Sequence, residues 1–178
     1  MIKEVFRQNF PFGNDFSYSY KSTKYLDVLT RTGDDGNLVF EFRVNNFYKP
    51  FIGKHAINFL KDYDEYTRFF TYINQNQHES AFISIGFQSV DIYRIWDIFV
   101  EPPFQHLGIG TELLKHVEKI ARGWSAKVIV VECRSSNYPA IRFFQKNKFL
   151  ITGFYLVHKS RDDLIKHDIQ LQMSKLLE

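Results

Sequence analysis

A parallel crossover is written between Tyr93 and Cys133, and it constrains the fold more than any other stretch of the chain. Tyr93–Val100 has the apolar pattern of a strand. Pro102 and Pro103 then stop any ladder, because proline brings no backbone N–H. Gln105-His106-Leu107-Gly108-Ile109-Gly110-Thr111 leads straight into helical periodicity over residues 111–122. There Leu113, Leu114, Val117, Ile120 and Ala121 fall at i, i+1, i+4, i+7 and i+8, one apolar stripe, and Gly123 is expected to stop the helix. Lys127–Cys133 reads KVIVVEC, whose four consecutive β-branched residues suit a strand covered on both faces. Strand, helix and strand in this order predict a βαβ unit with parallel strands.

The loop inside that unit carries the chemistry. Gly108 and Gly110, one residue apart, let the backbone turn tightly and approach a ligand closely. The helix that follows offers unpaired N–H groups and the positive end of its dipole. The arrangement can cradle a phosphate. It is not a P-loop, since no Gly-Lys-Ser/Thr follows. Nor is it the Rossmann fingerprint, since no third glycine stands at the required place.

The remaining chain supplies flanks. Residues 1–23 read as a lead-in segment. Lys24–Arg31 and Leu38–Phe47 predict a hairpin around the turn formers Thr32–Asn37. Ile57, Phe59-Leu60 and Tyr63 recur at helical spacing, which predicts a helix near 54–65. Its Asp62, Asp64 and Glu65 form either a solvated face or a surface for a cationic acceptor. Phe69–Ile73, Ser80–Phe87 and Tyr93–Val100 predict an antiparallel meander. Asn137 suits the N-cap of a second helix to Lys146, with Pro139 in its first turn. Phe149–His158 and Asp168–Ser174 predict closing strands.

A chain of 178 residues is expected to form one domain. Its net charge of +3 is too small to argue for nucleic acid. No stretch approaches the ~20 apolar residues of a membrane span, and no signal peptide is evident, so a cytoplasmic protein is expected. The single cysteine, Cys133, lies in a strand pattern and is expected to be a buried, inert thiol. The six histidines show no metal-ligand spacing, so no metal is expected. The oligomeric state stays open, a homodimer included.

The glycine loop reads Gln-x-x-Gly-x-Gly after a strand ending in valine, and here the chain resembles the GNAT acetyltransferase superfamily. The likeness extends over about residues 90–158, because Asn137, Ala140, Phe143, Phe144 and Phe149 stand at places the superfamily marks after its parallel strands. The resemblance implies a mixed α/β fold: a mostly antiparallel sheet, one splayed pair of parallel strands and flanking helices. It implies acetyl-CoA as co-substrate, with its pyrophosphate on Gln105, His106, Leu107, Gly108, Ile109, Gly110 and Thr111. The pantetheine arm would run along Ile98, Phe99 and Val100, and Asn137, Ala140, Phe143, Phe144 and Lys146 would complete the site. Two positions depart from the pattern. The superfamily's usual tyrosine, a proton donor to the departing thiolate, is Phe144, which has no proton to give; its usual glycine is Lys148. Tyr138 and Tyr155 are candidate substitutes. Phe144 is expected to face a cleft.

The strand Trp96-Asp97-Ile98-Phe99-Val100 is similar to antibiotic-modifying members, the streptothricin and aminoglycoside acetyltransferases, which carry an acidic residue where Asp97 stands. Asp97 is therefore the candidate catalytic residue, as base or as anchor for an ammonium group. The expected activity is N-acetylation of a primary amine on a small molecule. The alternatives are acetylation of a protein or peptide amine, and a catalytically weak acetyl-CoA-binding module.

Overall fold

In the computed structural model, residues 1–9, 15–58, 63–158, 161–163, 165–166 and 168–177 are described. Their strands are β1 (Ile2–Val5), β2 (Asp15–Thr32), β3 (Leu38–Asn58), β4 (Arg68–Ile73), β5 (Glu79–Ser89), β6 (Ile92–Val100), β7 (Val128–Arg134), β8 (Leu150–Tyr155) and β9 (Gln170–Leu176); the helices are α1 (Ile109–Gly123) and α2 (Tyr138–Lys146). They group into two units: residues 1–18, 55–131 and 174–178, and residues 19–54 and 132–173.

In the first unit the strand order is β1-β4-β5-β6-β7. The β1–β4, β4–β5 and β5–β6 pairs are antiparallel, and β6–β7 is parallel. The meander and the βαβ crossover stand as the sequence predicts. Strand β1 was hidden in the expected lead-in segment, because four residues, IKEV, are too few to show a period. Helix α1 packs on β4, β5 and β6. Its stripe of Leu113, Leu114, Val117 and Ala121 is fully buried, as are Ile83, Ile85 and Ile95 of the sheet. Each large apolar side chain so buried contributes about 1.5–3 kcal/mol.

The helix expected near 54–65 does not form over its first part. His55–Asn58 finish β3, and Tyr63 lies beyond the strand; residues 59–62, including Asp62, are outside the described residues. Ile57 and Tyr63 reach one cluster with Phe69 and Phe82 by tertiary packing, not by a shared helical face. Asp64 accepts from the Tyr66 N–H at 3.0 Å and the Thr67 hydroxyl at 2.8 Å, so it serves a turn. Strands β2 and β3, paired as a ribbon, run well past the predicted hairpin strands.

Helix α1 ends differently from expectation. Gly123 is its last residue, and the left-handed residue is Ser125, at φ 63°. Ala126 N–H donates to Ala121 O and Ser125 N–H to Arg122 O, both at 3.0 Å, a Schellman motif.

In the second unit the order is β7-β9-β8. Asn137 caps α2, its side chain accepting from Ala140 N–H at 3.3 Å. The far end of α2 is again a Schellman motif. Phe149 N–H reaches Phe144 O and Lys148 N–H reaches Gln145 O, both at 3.0 Å. The rings of Phe144 and Phe149 meet at 5.3 Å, the apolar contact this motif favours. Lys148 stands at the left-handed position, φ 69°, where a Cβ costs ~1–2 kcal/mol. Lys148→Gly is therefore expected to stabilise the fold by about 1 kcal/mol. Urea denaturation checks this; a lowered midpoint would contradict it.

Candidate active site

The site is built on β6. Its parallel ladder with β7 runs from Ile92↔Val128 to Ile95↔Val131 and adds no further rung. Its antiparallel ladder with β5 continues to Ala81↔Val100. The parallel ladder thus ends at Ile95, before β6 does. On the β5 side the register steps from Ile85↔Ile95 to Ser84↔Asp97, so Trp96 is an extra residue, a bulge. Room for it depends on Gly86, where a Cβ would come within 2.7 Å of Trp96 Nε1 and of Thr67 Oγ1. The Arg94 guanidinium lies 4.5 Å from the Trp96 ring centre.

Beyond β6 the two prolines open a short 3-10 turn, Pro102–Phe104. Gln105 N–H donates to Pro102 O at 3.3 Å, and its side-chain amide donates to Val100 O at 2.9 Å. Gln105 thus ties the turn to the end of β6. His106 and Gly108 have positive φ, 63° and 86°. Gly108 is the N-cap of α1, and the space where its Cβ would stand is open to 4 Å. The first bond into the helix is Glu112 N–H to Gly108 O, at 3.0 Å. Among the described residues, no backbone carbonyl receives the N–H groups of His106 to Thr111. Ile109 and Gly110 are buried, while His106, Leu107 and Gly108 are exposed.

Asp97 follows the bulge. Its side chain is 8% exposed. Tyr18 Oη donates to Oδ1 at 3.2 Å, and Tyr63 Oη makes a short bond to Oδ2. Its own N–H donates to Ser84 Oγ at 3.0 Å. His55 Nε2 is 3.1 Å from Oδ1, and this imidazole is 44% exposed. The Tyr18 ring stands 5.1 Å from the His55 ring and stacks on Phe99 at 4.8 Å. An ammonium anchor needs an open carboxylate, and both oxygens of Asp97 already have partners. Tyr18, His55, Tyr63 and Ser84 were invisible to sequence reading, because they lie up to 79 residues from Asp97 and share no spacing with it.

The other predicted residues belong to the second unit. Asn137 caps α2, Ala140 and Phe143 are partly buried, and Lys146 is exposed. Phe144 is 3% exposed, between the rings of Phe143 and Phe149 at 5.2 and 5.3 Å. The expectation that it faces a cleft is corrected: the residue is core, fixed by the Schellman contact. Tyr138 begins α2, and Tyr155 is 52% exposed at the end of β8. Near the cap, Tyr20 Oη and Ser136 Oγ bond at 2.9 Å, Ser136 donates to Asp168 at 2.6 Å, and Arg134 donates to Asp168 at 2.5 Å. Cys133 is buried, which pushes its thiol up to about 12 and keeps it unreactive. Among the described residues, no cluster of His, Cys, Asp or Glu could hold a metal, and no helix is long and apolar enough to cross a membrane.

The end of β6, the left-handed Gly108 and the N-terminus of α1 follow one another on a mixed α/β fold. The family model for the acetyltransferase (GNAT) family matches residues 37–149. The chain belongs to that family and is an acetyltransferase by that membership. Among solved structures it is similar to nourseothricin acetyltransferase, with a TM-score of 0.78 and 18% identity over 100% of this chain and 98% of that one. A protein of Bacillus anthracis str. Ames described as a streptothricin acetyltransferase, solved with acetyl coenzyme A, gives 0.71 and 18% over 100% and 97%. The ribosomal-protein-S18-alanine N-acetyltransferase of Escherichia coli gives 0.56 and 20% over 67% and 75%. At these identities the likeness is one of fold. No curated protein matches the chain.

Burial, the Asp97 charge and the bond to Asp97 raise the Tyr63 phenol far above its ordinary 10.0. The folded protein holds this proton more tightly than the unfolded chain. The stabilisation is full below about pH 10 and is lost as the pH rises above it, where the unfolded tyrosine ionises. Stability measured between pH 9 and 11 is expected to fall less steeply in Tyr63→Phe than in the wild type, by about 1.4 kcal/mol per pH unit at most. Parallel curves would remove Tyr63 as a contributor.

Proposed function

We propose that this chain transfers an acetyl group from acetyl-CoA to a primary amine of a small molecule. The observation that carries the reading is β6 continuing beyond its parallel ladder toward the Gly108 turn, where, among the described residues, no backbone carbonyl receives the N–H groups of His106 to Thr111. Those donors suit a pyrophosphate. Since Gln105 N–H is engaged by Pro102, the cradle is assigned to His106–Thr111, with Gln105 bracing its base. The edge at Ile98–Val100 suits the pantetheine amides, in the manner of an added strand. The parts of Asn137, Ala140, Phe143, Phe144 and Lys146 are proposed from the family resemblance. When bound, acetyl-CoA supplies the thioester whose acetyl group is transferred.

The small-amine acceptor is proposed from the family resemblance and from the names of two fold neighbours. A nourseothricin acetyltransferase and a protein described as a streptothricin acetyltransferase match this chain over its full length. Streptothricin-type amines are therefore the first acceptors to test. A coenzyme-binding module with little turnover is the second reading, favoured by Phe144, which is buried and carries no hydroxyl.

Thiol release from acetyl-CoA over a panel of amines decides between them: turnover with at least one small amine is expected, while coenzyme binding without turnover on any member supports the module. Calorimetry tests the cradle. Gly108→Val places a β-branched residue at φ 86° and is expected to weaken acetyl-CoA binding at least about tenfold, as loss of one or two charge-assisted hydrogen bonds does. Unchanged affinity in the folded variant would remove the turn from the coenzyme site. Asn137→Ser keeps a cap but shortens the reach; intact affinity and turnover would leave Asn137 as a cap only.

A further inference from the structure

We propose that His55 is the general base of the acetyl transfer and that Asp97 is the buried carboxylate holding it in place. The inference rests on the acetyl-transfer reading above. Asp97 is nearly closed to solvent, and its oxygens are met by Tyr18, Tyr63 and His55. A carboxylate so engaged has little room to receive an amine directly. His55 stands between it and solvent. Nε2 is 3.1 Å from Asp97 Oδ1, and the ring is 44% exposed. A proton held on Nε2, on the side of the carboxylate 3.1 Å away, leaves the lone pair on Nδ1, for which no partner is present among the described residues. A carboxylate that fixes the tautomer of a half-exposed imidazole is the arrangement by which histidine acts as a base.

The surroundings fit this assignment. Tyr18 from β2 packs on the imidazole and also stacks on Phe99, next to Ile98 on the β6 edge. His55 is therefore fixed beside the part of β6 where a thioester is proposed to lie. Among the described residues, the groups recorded against it are the Asp97 carboxylate from β6 and the Tyr18 ring from β2; the Tyr63 phenol lies on the other oxygen of Asp97. On β3 itself, strand alternation turns Lys54 to the opposite face. Asp97 is thus the one formal charge among these facing groups, and it stabilises an imidazolium as it forms.

In the step, the amine lone pair forms the C–N bond to the acetyl carbon. The nitrogen becomes acidic as the bond forms, and its proton passes to His55 Nδ1. The C–S bond breaks with its electron pair going to sulfur. The thiolate takes a proton from water, or from the imidazolium, which returns His55 to its neutral form. No oxidant or further reactant is needed.

The test compares wild type, His55→Gln and Asp97→Asn with the acceptor found in the amine panel. His55→Gln keeps a hydrogen-bonding side chain but cannot titrate. A fall in kcat of about 10²–10⁴-fold is expected, with acetyl-CoA affinity within about twofold of wild type, and the acid limb of the kcat/KM profile should vanish. His55→Ala should regain part of its rate with added imidazole. Asp97→Asn should lower kcat at least about tenfold. An independent readout is 15N NMR of the coenzyme-free protein, where His55 is expected as the Nε2-protonated tautomer. Wild-type turnover with wild-type kinetics in His55→Gln overturns the base role alone. A predominantly Nδ1-protonated His55 overturns the pairing with Asp97. Inactivity of the wild type on the whole panel overturns the acetyl-transfer reading, and the base role with it.

Discussion

The end of the parallel β6–β7 ladder at Ile95↔Val131, short of the end of β6, is the constraint on which the rest of the site depends. A parallel pair satisfies backbone groups along its whole length only while the strands stay together. Once they separate, the outer edge of β6 must find other partners or keep polar groups open. Part of that need is met inside the protein, since Gln105 reaches back to Val100 O. The bulge at Trp96 belongs to the same event. An extra residue increases the local twist and bends its strand, and Gly86 leaves the indole the space it requires. One irregularity thus re-aims the strand and sets Asp97 directly after the bend.

A buried carboxylate is costly unless it is paired or hydrogen-bonded. Asp97 meets that cost with two phenols and an imidazole. These partners come from β2, from the end of β3 and from the segment before β4. The carboxylate therefore draws three separate parts of the chain to one point, and Tyr63 couples that point to the apolar cluster of Ile57, Phe69 and Phe82. Removing a single phenol would leave a partly satisfied buried charge, which is worse than a modest loss of packing. Charge placement and core packing are here one design problem.

The legible part of the chain was the part whose signals are local. Strand, proline stop, glycine turn and helix follow one another from Tyr93 to Cys133, so their order could be read directly. The Asn137 cap was legible for the same reason, since its partner is three residues away. The surroundings of Asp97 were not, because Tyr18, His55 and Tyr63 approach it only through tertiary structure. The helical spacing of Ile57 and Tyr63 misled for a related reason: both are buried in the same cluster, yet no helix carries them there. Strand β1 was missed because its four residues draw their order from β4, to which Ile2–Val5 pair. The stop of α1 was assigned to glycine, whereas the left-handed residue is Ser125, two positions later.

Phe144 and Lys148 look like two separate departures from the family pattern, but one motif at the end of α2 contains both. Phe144 is the third residue from the end of the helix, and its carbonyl receives Phe149 N–H across the turn made by Lys148. Its ring packs against Phe149, so the side chain is committed to the core. A tyrosine hydroxyl at this place would have to leave the core or find a partner within it. With phenylalanine there, the motif closes on an apolar contact alone, and this compensates in part for the strain of a lysine at φ 69°. The absence of a phenolic proton donor at position 144 is thus tied to how α2 ends. Loss of general acid assistance is tolerable for a thiolate, a better leaving group than an alkoxide or an amide anion, whereas loss of a base is not tolerable for an amine that must shed its proton. In the acetyl-transfer reading the demand for proton transfer therefore falls on the side of the acceptor, which is the role proposed for His55 with Asp97 behind it.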